Sequence, residues 1–157
     1  MSYDDYGNVS RIEESGDSTV AGDELVDYVQ AAAGMRENVH WFGRLEHDVL
    51  AGLTPAADVQ VVPSTFPEAF GMVAAEAAAC GVPPVVADHS GLAEVSRQLE
   101  ERLSGAMASL LSFRTGARAV PQLASRINGL LALDKHARAD LSVRLAEVSR
   151  ERFSWAG

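Results

Sequence analysis

A single cysteine, Cys80, and a single lysine, Lys135, occur in this chain of 157 residues. One thiol cannot close an internal disulfide or build a cysteine zinc site. Lys and Arg together number 13 against 22 Asp and Glu, a net charge of −9. A basic face is therefore lacking, which argues against nucleic acid or an anionic membrane as a partner. No apolar run reaches the ~18–20 residues of a membrane-spanning helix. The nearest, Met72 to Ala87, is broken by Glu76, Gly81 and the Pro83–Pro84 pair. The first residues are polar and acidic, unlike a secretion signal. A cytoplasmic protein with no membrane span is the expectation. His40, His47, His89 and His136 lack metal-ligand spacing, and Asp88-His89-Ser90 is contiguous, so it cannot fold into a nucleophile triad by itself. No G-x-S-x-G elbow, phosphate-binding Walker loop or G-x-G-x-x-G fingerprint is present.

What is present suits a folded core. Hydrophobic residues make up 47% of the chain, and a length near ~150 residues corresponds to about one domain. The acidity is concentrated. Residues 1–30 hold eight Asp and Glu against Arg11 alone, and residues 1–20 show no apolar period. They read as an acidic, loosely ordered segment, with a domain from 21 to 157.

From Gly22 onward the pattern is regular. Asp23–Ala33 has helical spacing of Leu25, Val26 and Val29, and Asn38–Phe42 is a short strand-forming run. Glu46–Ala57 reads as a helix with Val49, Leu50 and Leu53 on one side and Pro55 near its end. Asp58–Val62 is a strand stopped by Pro63, Phe70–Cys80 a helix of small residues, and Pro84–Ala87 another strand. Leu92–Leu103, Pro121–Leu133 and Ala137–Phe153 are helical, while Ala108–Phe113 is either a strand or a helix end. The tail is thus mostly helical from about residue 115. Strands and helices alternate with short connectors. That order predicts an α/β fold, a Rossmann-like parallel sheet with helices on both faces. Val59–Val62 and Val85–Ala87 are apolar at every position or nearly so, as covered parallel strands require.

The chemistry concentrates between Pro63 and Glu76. This stretch joins the carboxyl end of one strand to the first turns of a helix, where open α/β sheets bind ligands. A helix start offers unpaired N–H groups to a phosphate. Gly71 would let a ligand approach the backbone. Glu76 lies among Ala74, Ala75, Ala77, Ala78 and Ala79, which predicts close packing around a carboxylate that needs a partner. A salt bridge, an exposed helix face and a ligand hydroxyl are all open to it. Glu68, just before the helix, also suits a helix start.

Glu68, seven intervening residues and Glu76 resemble the paired-glutamate motif of the retaining glycosyltransferases of family 4, which have the GT-B fold. Val39–Gly43, Ala57-Asp58-Val59 through Pro63-Ser64, Glu76–Pro83, the loop Gly91–Glu94 and Phe153-Ser154-Trp155 are similar to further blocks of that family, in order. The resemblance covers residues 20–157 and implies part of the carboxy-terminal, donor-binding domain. It implies that Glu76 holds the ribose hydroxyls of a nucleotide sugar and Glu68 hydroxyls of the donor sugar. Phe70 and Gly71 would meet the sugar, Met72 and Val73 the diphosphate, and Gly43 and Arg44 would lie on the side of the base. The sugar would be transferred with retention to an unknown acceptor, with no cofactor and no metal.

The chain also departs from the family. No counterpart of the acceptor-binding domain is visible, nor of the Arg and Lys that neutralise the diphosphate. Of the family's strand order 3-2-1-4-5-6, the chain supplies 3, 4 and 5, with 6 left open. A separate acceptor-domain chain is one implied partner. The alternative reading is a non-catalytic sugar-nucleotide-binding subunit or an inactive remnant. A sugar-nucleotide epimerase fits the paired glutamates less well.

Overall fold

The computed structural model describes residues 2–3, 9–11, 42 and 45–154. The chain forms two compact units, Met1–Leu45 and Glu46–Gly157. In the first, β1 (Ser2–Tyr3) pairs antiparallel with β2 (Val9–Arg11). The predicted helix at Asp23–Ala33 lies outside the described residues. So does the strand at Asn38–Phe42, apart from Phe42, which is exposed and in no strand.

The second unit opens with α1 (His47–Leu53), followed by a turn of 3-10 helix at Thr54–Ala56. Pro55 lies in that turn, where its missing N–H costs no helical hydrogen bond. Val49, Leu50 and Leu53, predicted to form one apolar side, are all exposed.

Three strands form a parallel sheet in the order β3 (Gln60–Val62), β4 (Pro84–Ala87), β5 (Ser112–Phe113). Gln60 lies opposite Pro84, Val62 opposite Val86, and Ala87 opposite Phe113. Successive residues of a strand point to opposite faces. All four residues of β4 are buried, so helices cover both faces of the sheet, as the apolar strands predicted. The ambiguous stretch before residue 113 resolves into a short helix, α4 (Gly105–Ala108), and then β5.

The crossovers are α2 (Met72–Ala79) between β3 and β4, and α3 (Ser90–Glu100) leading from β4 to α4 and β5. α5 (Ala119–Leu131) packs on β4 and β5, and α6 (Lys135–Phe153) packs on α2 and α3. The helical tail is therefore part of the core rather than an appendage, through Leu130, Leu141, Leu145 and Val148. On α6, Leu141, Leu145 and Val148 recur at helical spacing and are buried. They share one core cluster with Ala74, Ala75 and Ala78 of α2. Small side chains on α2 leave room for the larger ones of α6. Ser149, also buried, donates to the Ala75 carbonyl at 3.4 Å.

Asp134 starts α6. Its Oδ1 accepts from the N–H groups of His136 (2.8 Å) and Ala137 (2.9 Å). Replacing such a cap with alanine costs about 1 kcal/mol. Asp134→Ala is therefore expected to lower the melting temperature by roughly 4 °C, measured by thermal unfolding. An unchanged midpoint would show that the cap contributes nothing. Arg138 joins α6 to Asp58, before β3, at 2.7 Å, but both side chains are largely exposed and the pair stabilises little.

Candidate functional site

The connection after β3 runs from Pro63 to Gly71 across the carboxyl end of the sheet. Beside it, Asp88 and His89 link β4 to α3. The two loops are tied together. His89 Nε2 lies 2.7 Å from the Ser64 carbonyl, and Nδ1 lies 3.0 Å from Ser90 Oγ. Ser90 Oγ accepts from the Glu68 N–H at 3.0 Å, and the Glu68 carbonyl accepts from the Gly91 N–H at 2.9 Å. The backbone of Glu68 is thus held on both sides. Its carboxylate has no hydrogen-bond or ion-pair partner among the described residues, and neither has that of Glu76.

Gly71 precedes α2 with φ +82°. A side chain there would be strained, and its Cβ would stand 3.0 Å from Leu92 Cδ2 and 3.1 Å from Leu92 Cα. The glycine therefore admits the close approach of α3, a requirement that the sequence reading did not include. No side chain caps α2. The N–H groups of Met72 and Val73, in its first turn, have no acceptor within the helix.

Met72, Val73 and Glu76 lie at helical spacing on the open side of α2, while Ala74, Ala75, Ala77 and Ala78 are buried. Ala75 and Ala77, on either side of Glu76 in the chain, are buried, and Glu76 itself is partly buried. The alanines occupy the opposite side, because each falls one or two residues from Glu76 and so off its face. Glu76 is half-buried and Glu68 likewise, and both stand at the carboxyl end of the sheet or on the first turns of the helix that follows. Phe70 is exposed, with its ring edge-on to Phe153 at 5.9 Å. The end of α6 thereby supports the site. Gly43, Arg44 and Trp155 lie outside the described residues.

Burial pushes the carboxyl of Glu100 above the ordinary glutamate range, and the nearby Asp88 charge acts in the same direction. The hydrogen bond from Ser112 Oγ opposes both. Glu100 closes α3, about 15 Å along the helix from Ser90, and is no part of the candidate site. A cavity of about 140 Å³ lies at the other end of the sheet, lined by Pro55, Asp58, Cys80, Gly81, Val82, Arg138 and Leu141 among others. Among the described residues no group of three or more His, Cys, Asp or Glu side chains could hold a metal ion. No helix among them is long and apolar enough to cross a membrane.

A sequence model of the family described as glycosyl transferases group 1 matches residues 19–112. This chain belongs to that family. Its match includes β3, α2, β4 and α3, the elements that build the site. A D-inositol 3-phosphate glycosyltransferase of Mycobacterium marinum is 34% identical over 122 residues, which is 78% of this chain and 24% of that protein. Proteins of the same description from Mycobacterium bovis and Mycobacterium tuberculosis are 34% identical over 141 residues, 90% of this chain and 27% of theirs. This group 1 glycosyltransferase chain therefore spans about a quarter of the length of the curated relatives it matches.

His89 and Ser90 were not among the residues singled out by sequence for the site. The available signal was a run of polar residues directly after an apolar strand and before Gly91.

Proposed function

We propose that this chain is the donor side of a group 1 glycosyltransferase, binding a nucleotide-diphosphate sugar for transfer with retention. The observation that carries this reading is the pairing of an uncapped helix start with two unpartnered carboxylates, all next to the carboxyl end of β3. Glu76 accepts from the ribose hydroxyls, because one carboxylate can accept from both members of a vicinal diol. Glu68 accepts from hydroxyls of the sugar. Phe70 and Gly71 meet the sugar through their backbone, and the N–H groups of Met72 and Val73 face the diphosphate. As the bond between the anomeric carbon and the diphosphate breaks, negative charge grows on the leaving group, where the positive end of α2 stabilises it. No cofactor or metal is invoked. The acceptor is sought first among inositol phosphates, following the name of the relatives. A cytoplasmic location belongs to the same reading.

Glu76→Ala tests it. Hydrogen bonds to a charged group contribute about 1.5–3 kcal/mol, so the dissociation constant for the nucleotide sugar is expected to rise roughly 10- to 100-fold. Isothermal calorimetry with UDP-, GDP- and ADP-glucose reads this out. Unchanged affinity for whichever donor binds would remove Glu76 from the site.

A second reading is favoured by a rim of exposed apolar side chains, Phe66, Phe70, Met72 and Val73. In this reading the chain is a binding subunit, completed by a separate chain that carries the acceptor domain. Binding without turnover by the chain alone, and turnover when a second protein is added, distinguishes it from a self-sufficient enzyme. Robust turnover by the chain alone would exclude it.

A further inference from the structure

We propose that His89 is a positioning residue, which sets the sugar side of the donor site through Ser90 without touching the ligand. The inference rests on the donor-site reading above. A carbonyl oxygen only accepts, so the 2.7 Å contact with Ser64 puts a proton on His89 Nε2. In the neutral ring Nδ1 is then an acceptor, and the hydroxyl of Ser90 is its donor at 3.0 Å. With its proton so directed, Ser90 Oγ turns a lone pair to the Glu68 N–H. The three bonds form one directed chain from the Glu68 amide to the Ser64 carbonyl. It spans the loop after β3 at two points four residues apart.

Ser90 provides a second, independent observation. It has φ +50° and is the one residue other than glycine with a positive φ among those described. That region is unfavourable for a serine and persists where surrounding contacts impose it. Here it aims Oγ at both His89 and Glu68. Steric contact locks the same junction, since a Cβ on Gly91 would lie 2.5 Å from the Phe70 nitrogen.

The two glutamates are anchored differently. Glu76 belongs to α2, which the core holds through its alanines. Glu68 belongs to the loop, and the backbone of that loop depends on the chain of hydrogen bonds through His89. Loss of His89 should therefore disturb recognition of the sugar and leave recognition of the nucleotide largely intact.

The experiment compares the 157-residue protein with H89A and H89Q, in calorimetric titrations with UDP-, GDP- and ADP-glucose and with the corresponding free diphosphates. Amide hydrogen exchange at Glu68 and Gly91 is measured without ligand. H89A is expected to weaken binding of the nucleotide sugar about 10-fold, the scale of one lost hydrogen bond in a bound site. Binding of the free diphosphate should change less than about 3-fold. Exchange at Glu68 should rise. H89Q, whose amide can donate to Ser64, should recover much of the loss. An unaltered preference for the sugar nucleotide in H89A, or equal losses for both ligands, would overturn the positioning role. If the unsubstituted protein binds none of the three sugar nucleotides, the donor-site reading fails and the role falls with it. The exchange data then separately establish whether the hydrogen-bonded junction exists.

Discussion

Gly91→Ala is expected to be among the most damaging single substitutions in the chain. The added Cβ would sit 2.5 Å from the nitrogen of Phe70 and 2.6 Å from its Cα and carbonyl carbon. Real Cβ atoms do not approach backbone this closely, so one of the two segments has to move. Neither moves freely. Phe70 is followed by Gly71, whose φ of +82° and contact with Leu92 fix the entry to α2. Gly91 donates its N–H to Glu68, and Leu92 behind it is fully buried. Overpacking of this kind costs about 1–3 kcal/mol and at times more. Loss of the hydrogen bond adds about 1 kcal/mol. A total of roughly 2–4 kcal/mol corresponds to a fall in melting temperature on the order of 10 °C for a unit of this size. Gly52→Ala is the control. Nothing lies within 4 Å of the position its Cβ would take, and it is inside α1, so alanine there should stabilise by about 0.5–1 kcal/mol. Comparable midpoints for the two variants would contradict the close junction of the loops.

Leu145→Ala is expected to rival it through a different mechanism. Leu145 is fully buried on α6, in the cluster that includes the alanine side of α2. Truncating a buried leucine costs about 2–5 kcal/mol, depending on how well the surroundings collapse into the void. Collapse is poor here, because Ala74, Ala75 and Ala78 have no side-chain length with which to fill a space. The upper half of the range follows, about 3–5 kcal/mol. Leu145→Met, which conserves volume, should cost less than about 1.5 kcal/mol. Chemical denaturation of the three proteins checks both values. A Leu145→Ala protein within about 1 kcal/mol of the original would show that α6 is not integral to the core.

The tail supports the candidate site directly. Phe153, at the end of α6, meets the ring of Phe70, and the same helix holds α2 in place. A truncation before α6 would remove Leu141, Leu145 and Val148 from the core and the Phe153 contact from beside the candidate site.

The cysteine and lysine poverty with which the sequence begins its exclusions acquires a sharper meaning in the fold. Cys80 lines a small cavity at the end of the sheet away from the glutamates. Lys135 starts α6 beside its cap. Neither stands at the candidate site.

Much was legible in the linear pattern. β4 matches the predicted Pro84–Ala87, and β3, α2, α3, α5 and α6 lie within a few residues of their predicted ends. Apolar period and the placement of proline and glycine determine these elements locally, and the ordered motif blocks reveal the family. Three features depended on the tertiary arrangement. The face on which Glu76 lies is set by which side of α2 the core takes. One reason for Gly71 is the closeness of Leu92, a residue 21 positions away. The junction of His89, Ser90 and Glu68 exists because parallel pairing of β3 with β4 brings the loops after them together. Local sequence preference determines where a helix begins. Only the packing of one segment against another determines which of its polar atoms remain unpaired, and those atoms carry the proposed chemistry.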